Sequence, residues 1–554
     1  MESLNTEKLT FTQVQHLPIV KHYARKIKLV ETLDAMVDSQ MELPPGLAVM
    51  AMVQDTLSGR TPLYRLKETF EEKDTELLLG HKIEPKRFGD YNLARVLDKI
   101  YETGTQRIFT QIAQNAIGSF SIDTSRLHYD TTSISVYGDY DATLPFNITY
   151  GHSKDKRPDL KQFLVSMLCV DRDIPIIGAP KDGNASDKTL NNELLAGVSR
   201  HMAGYGIEPG AFIYVADAAL VTPDNLAKAD EQGIKLLSRL PATYKECSRV
   251  IREAVVANNW TDIGTLTKTR PTKKRPAAYY RVCDSRVELY DRIYRAIVVH
   301  STAHDKRRHK RIDRILTQKR KALQKLSQKT IAAPFYCEAD ARKAGEKLCS
   351  ASWGSYHRIE YKITPVPRYG RGRPPRNKKR VPKRIDYQLE TVIREDSEAI
   401  EPLRLEAGCF VLICNLTDDQ EIENWPAEKL LSLYKDQNGI EKNFGFLKDP
   451  VIVNSIFLKK PHRIEVLGLI LLISLLIWRL MERSMRRHVK ASGPMTGWEN
   501  RPTKKPTSFM MTTKFIHILV VKSGDQRQLA KQLKPVQLEY LKALNVDPRA
   551  FTSP

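Results

Sequence analysis

Three carboxylates in this sequence stand where chemistry is plausible. Asp130 lies inside a strand-like run between Leu127 and Ile134, where a carboxylate is costly unless it is paired, hydrogen-bonded or bound to a metal. Asp217 ends the apolar run Phe212-Ile213-Tyr214-Val215-Ala216, and the end of a buried strand is a frequent place for active-site groups. Taken singly, each is equally well read as a capping or turn residue. The third, Glu441, belongs to a pattern. Tyr434, Gln437, Glu441 and Lys448 fall at i, i+3, i+7 and i+14, a single stripe about 60° wide on a helix turning ~100° per residue. Ile440, Phe444 and Leu447 occupy the neighbouring face and would pin that helix to a core. Alone, the stripe reads as the solvated side of an amphipathic helix. With its neighbours buried, Glu441 can look toward a strand end.

The surrounding elements determine whether these residues can meet. Residues 1–120 read as a helical N-terminal domain, with helix-like spacing over 14–36, 46–57, 91–101 and 105–117. It is either a DNA-binding unit of the helix-turn-helix kind or a dimerisation unit. From residue 121 the pattern changes to strands at 126–136, 147–150, 163–170 and 174–177. A helix from Asp187 capped by Ser186 follows, then strands at 211–216 and 234–237 separated by a short helix. Three early strands followed by alternating helix and strand predict an α/β fold with a mixed sheet. Residues 121–265 form the first part of this core and 401–490 the second. In the second part a strand is expected at 409–415, one helix at 426–448 and another at 464–489. Residues 491–554 read as a tail, extended over 514–521 and helical over 529–544.

Charge separates the remaining segment from the rest. The chain has 554 residues, 88 Lys and Arg against 65 Asp and Glu, and a formal net charge of +23. Residues 266–385 carry 34 of the basic and only 9 of the acidic residues, so they hold the whole excess. Such an excess favours a polyanionic partner, nucleic acid or an acidic membrane surface, over a small neutral metabolite. Within 266–400, residues 277–302 read as strands and 303–329 as a helix crowded with Lys and Arg. Gly370-Arg371-Gly372-Arg373-Pro374-Pro375 resembles an AT-hook core, thin enough for Arg371 and Arg373 to lie along a narrow minor groove. It also reads as a solvated basic linker.

Asp130, Asp217 and Glu441, with Tyr-x2-Gln-x3-Glu-x6-Lys at 434–448, resemble the DDE-type bacterial insertion-sequence transposases whose signature is Tyr-x2-Arg-x3-Glu-x6-Lys. The runs Tyr150–Gln162 (Tyr-Gly-His-Ser-Lys-Asp-Lys-Arg-Pro-Asp-Leu-Lys-Gln) and Asp182–Asp187 (Asp-Gly-Asn-Ala-Ser-Asp) are similar to stretches of one branch of that group. The likeness spans roughly residues 120–490 and departs from the signature at Gln437, where an arginine is usual. It implies an RNase H-like catalytic core, a mixed sheet flanked by helices, interrupted before the last glutamate by a basic, largely β insertion. It further implies two Mg²⁺ or Mn²⁺ ions held by Asp130, Asp217 and Glu441, as oxygen-rich sites allow, for cleavage and strand transfer of DNA. Tyr434, Gln437 and Lys448 would contact DNA. Lys154 and Arg157 would help position the strand, or belong to a surface loop of charges. The partners implied are double-stranded DNA, as element ends and target, and a second copy of the chain, since two ends must be paired.

Other classes fare worse. No secretory signal opens the chain, and the longest apolar run, 466–478, is shorter than the ~20 residues a bilayer needs. A buried helix is therefore expected there, with no membrane partner and a cytoplasmic, nucleoid-associated protein. The seven cysteines show no metal spacing and are expected to be reduced thiols. No phosphate-binding G-x-x-x-x-G-K-[ST] loop occurs. Two alternatives stay open: a DNA-binding protein on a transposase scaffold that no longer cuts, and an RNase H-type nuclease.

Overall fold

The computed structural model describes residues 9–59, 61–138, 140, 145–266, 271–272, 276–372, 380–449, 458 and 460–554. The chain divides into two compact units, Met1–Ser238 with Leu431–Pro554, and Arg239–Leu430. The unit that holds the basic segment is thus wider than the insertion expected at 266–400.

In the first unit a strand β1 (Leu9–Gln13) precedes helices that include Leu17–Lys26, Leu29–Met36, Pro45–Leu57, Asp90–Thr103 and Thr105–Phe120. The single helix expected over 14–36 is broken, because Lys28 takes a left-handed φ of 53°. The core sheet follows: β2 (Arg126–Val136), β3 (Lys161–Val170), β4 (Ile174–Lys181), β5 (Ile213–Val215) and β6 (Lys235–Arg239). Their order is β4-β3-β2-β5-β6. β4, β3 and β2 run antiparallel, whereas β5 and β6 are parallel to β2 and to each other. This is a mixed sheet, as the pattern of strands and helices predicts. Long parallel connections require crossovers, and helices Asp187–Ala203 and Pro223–Glu231 supply them.

The helix expected at 426–448 is two helices, Ala427–Asp436 and Asn438–Leu447. They meet at Gln437, whose N–H bonds Tyr434 O only three residues back. The apolar run 466–478 lies in helix Pro461–Ser492, the one described helix long and apolar enough to cross a membrane. Protein covers 89% of its apolar window, and it packs against β4 and helices Pro45–Leu57 and Asp90–Thr103. A buried helix was the expectation. Residues 491–554 are not a tail. Strand Leu519–Ser523 pairs with β1, Phe515, Tyr540 and Phe551 are buried, and 514–515 close a helix (Ser508–Phe515) rather than extend.

The second unit contains β7 (Thr261–Thr265), β8 (Tyr279–Leu289) and β9 (Arg292–Ser301), which pair antiparallel in sequence. It also holds the hairpin of β10 (His357–Arg368) and β11 (Arg384–Glu395). The strand expected in the second part of the core, β12 (Cys409–Cys414), pairs with β9 and belongs here. Helices Thr302–Ile331 and Glu338–Ser352 pack on the hairpin through Leu323, Leu348, Ile359 and Leu389. All seven cysteines are free.

Candidate active site

Asp130 sits midway along β2, opposite Met167 of β3. The parallel register of β2 with β5 pairs Arg126 with Ile213, Leu127 with Tyr214 and His128 with Val215. Carried two residues past β5, that register puts Asp217 beside Asp130. Asp217 leaves the strand as the N-cap of a short turn, Oδ1 accepting from Ala219 N at 3.0 Å. Its backbone is anchored by the Ser238 hydroxyl, which donates to Asp217 O at 2.7 Å.

Burial acts on both carboxylates, and Asp130 also feels the charge of Asp217. Burial raises the Asp130 carboxyl to about 6, and the Asp217 and Asp187 charges push the same way; the Lys154 ammonium and the Thr131 N–H pull against it. Asp217 is likewise raised, first by burial and then by Asp187, with Ala219 N–H and Lys154 opposing.

Lys154 forms one wall of this cluster. Its Nζ donates to Thr131 O at 2.7 Å and to Thr131 Oγ1 at 2.9 Å. It stands 3.4 Å from Asp187 Oδ2 and 3.9 Å from Asp130 Oδ1. The Thr131 hydroxyl in turn donates to Asp187. Asp187 was not among the residues read as functional. Its signals in the sequence are its place at the end of the family-like run 182–187 and in the first turn after the Ser186 cap, the second of which helix electrostatics alone explains.

The two family-like runs, Tyr150–Gln162 and Asp182–Asp187, interlock at this point. Gly183 N donates to Asn147 O at 2.9 Å, Asn147 N donates to Asp182 Oδ1 at 2.7 Å, and Gln162 Nε2 donates to Gly183 O at 2.7 Å. A Cβ on Gly151 would collide with Gly183 O, and one on Gly183 with Gln162 O. Only glycine lets these two backbones approach so closely. Lys154 on one loop and Asp187 after the other are thereby brought to Thr131 and Asp130.

Glu441 is placed differently. Its helix packs on β2 and is pinned by the buried Asn443, which donates to Asp173 O at 3.0 Å and accepts from Arg479 Nε at 2.7 Å. Asn443 and Glu441 are two residues apart and so face nearly opposite ways. Glu441 is exposed, and Asn438 Nδ2 donates to its Oε2 at 3.1 Å. Among the described residues no three His, Cys, Asp or Glu side chains stand close enough to hold a metal ion. The donor set of Asp130 and Asp217 suits a hard divalent cation, because such an ion would relieve two crowded, desolvated carboxylates.

The remaining residues divide. Lys448 Nζ donates to both oxygens of Asp155, at 2.7 and 2.9 Å, and so ties the end of the Glu441 helix to the Lys154 loop. Tyr434 is half-buried, and Gln437 lies at the break between helices. Arg157 is engaged by Asp159 at 2.7–3.2 Å. Arg371 is exposed at the tip of the β10–β11 hairpin, where Arg380 donates to Gly370 O. Arg373 lies outside the described residues.

Residues 9–114, most of the N-terminal helical part, match a family described as a domain of unknown function (DUF4277). No curated protein matches the chain. Among solved structures it is similar to a chain in the cryo-EM structure of a piggyBac transposase synaptic complex with hairpin DNA. The identity is 9% and the TM-score 0.36, over 83% of this chain and 74% of that one. A TM-score below 0.5 establishes no common fold.

Proposed function

We propose that the chain is a DDE-type DNA transposase that binds the ends of its element and cleaves and joins DNA strands. The observation that carries this reading is Asp217, two residues past the end of β5, near enough to Asp130 of the parallel neighbour β2 to raise its carboxyl, both desolvated and with Lys154 against them. Three antiparallel strands followed by two parallel ones support an RNase H-like core.

In this reading Asp130 and Asp217 would hold Mg²⁺ or Mn²⁺, and Glu441, which faces outward from the helix packed against β2, would have to turn toward them to complete the set. The bound ions would neutralise the scissile phosphate and activate water or a 3′-hydroxyl. Lys154, fixed by Thr131 and Asp187, offers its ammonium to a phosphate oxygen. Lys448 holds the loop that presents Lys154. Tyr434 and Gln437, near Glu441 in the chain, would contact the DNA, as would Arg371 from the hairpin tip; Arg373, outside the described residues, is assigned to the DNA from the sequence alone. The partners are duplex DNA and a second copy of the chain, in the cytoplasm with the nucleoid.

Asp130→Asn is expected to lower Mg²⁺-dependent cleavage of the element's end DNA by roughly 10³-fold or more while leaving binding of that DNA intact. Cleavage at the wild-type rate by the variant would remove Asp130 from the site. A second reading, a DNA-binding protein that no longer cuts, is favoured by the outward placement of Glu441. It predicts binding without cleavage in the wild-type chain.

A further inference from the structure

Helix Thr302–Ile331 is the most basic element of the second unit. Its inner side is fixed: Leu316, Leu323 and Ser327 are buried, and Ser327 Oγ bonds Thr391 of β11. At ~100° per residue, the opposite side carries Arg307, Arg311, Arg314, Lys321, Lys325 and Lys329, within about 40° of one line. All six are exposed. None is paired with a described carboxylate. The helix's own acids are turned elsewhere, Asp305 to His309 at 3.0 Å and Asp313 to Arg404 at 2.9 Å.

A row of like charges this dense repels itself, and no described acid offsets it. From Arg307 to Lys329 the row is about 33 Å long at ~1.5 Å per residue, close to the ~34 Å of one turn of B-DNA. A straight, rigid row of cations of that length fits the phosphates lining one turn of a duplex. Guanidinium and ammonium groups suit phosphate oxygens.

We propose that this ridge is a phosphate-binding surface for duplex DNA, engaged over about one helical turn and reading no sequence. The inference rests on the chain's acting on DNA, and it assigns the affinity to this helix rather than to the Gly-Arg-Gly-Arg-Pro-Pro run of the sequence at 370–375.

The test uses the full chain and a random-sequence 30-base-pair duplex without Mg²⁺, so that it does not depend on cleavage. Arg307, Arg314, Lys321 and Lys325 are changed together to Gln, which keeps charge-free helix formers at each place. The plot of log affinity against log salt should flatten by about 3 to 4, at ~0.9 for each phosphate no longer neutralised. The control changes four exposed lysines of the same unit off the ridge, Lys343, Lys347, Lys362 and Lys383, and should flatten it by less than about 1. Equal flattening by both sets would reduce the ridge to net charge and overturn the proposal. So would an unchanged slope in a ridge variant that retains wild-type circular dichroism, or tighter wild-type binding to duplex RNA than to DNA. Cleavage of end DNA by the wild-type chain is scored separately, so a failed ridge and a failed transposase reading give different results.

Discussion

Asp130 is an aspartate kept charged at a cost to the fold. Its folded-state value of about 6 lies above the ordinary 3.8, so folding takes up a proton between about pH 4 and 6. The destabilisation is therefore absent below about pH 4 and fully present above about 6, where it amounts to at most about 3 kcal/mol. Asp130→Asn removes it and keeps an acceptor for the Thr131 N–H, which donates to Asp130 Oδ1 at 2.8 Å. The variant is expected to melt a few degrees above wild type at pH 7.5, with the difference shrinking toward pH 4. Equal melting temperatures at pH 7.5 would mean that the carboxylate is not strained. The same variant should thus be more stable and less active, a combination that a purely structural aspartate would not give. Asp130 and Asp217 could be picked out in the sequence because apolar strand residues surround them. Asp187 stood in the sequence only as the last residue of the family-like run 182–187, and its chemistry there, after a serine cap, reads as ordinary helix chemistry.

The elements around the site tell a similar story. Strand β2 and the strands flanking it follow from β-branched and apolar runs, and the mixed sheet follows from their alternation with helices. Other elements depend on backbone choices that leave no compositional mark. Lys28 with a φ of 53° splits a helix that periodicity joins, as does the tightened turn at Gln437. The β10–β11 hairpin was hidden by Pro365 and Pro367, which argue against a strand. They are tolerated because Tyr387, opposite Pro365, spends its own N–H and C=O on Phe335, so that position needs no proline N–H. The interlocked loops allow a sharp test. Gly183→Ala drives a Cβ into Gln162 O and should cost about 2 kcal/mol or more, lowering the melting temperature and exposing 145–160 to protease. A variant that melts like wild type would show that the two loops are free to separate.

At the scale of the molecule, the first unit is closed by its two chain ends. β1 pairs with Leu519–Ser523, and the Tyr23 hydroxyl donates to Leu544 O at 3.2 Å. Arg527, 3% exposed, reaches the 5% exposed Asp74 at 2.6 Å and also binds Glu76. Arg527→Ala removes the nearer cation of the buried Asp74 and leaves only Lys522, at 3.7 Å; it should lower stability by about 1 to 2 kcal/mol, read as earlier urea unfolding of the N-terminal helices. Unfolding at the wild-type urea concentration would show that the closing contact is dispensable. Charge arithmetic located the basic unit but not its limits, because β12, at its far end, is an apolar strand with no charge signal.

The division of the first unit between 1–238 and 431–554 also sets a schedule for synthesis. About 190 residues of the second unit leave the ribosome between its two pieces, roughly 10–40 s at 5–20 residues per second. The second unit is one uninterrupted segment and can finish folding in that interval. Asp130 and Asp217 then already exist, while Glu441 and the strand that pairs with β1 are still untranslated. A nascent chain therefore acquires its basic ridge well before its acidic centre is complete; on the proposed reading, the surface that attaches to DNA forms before the site that cuts it.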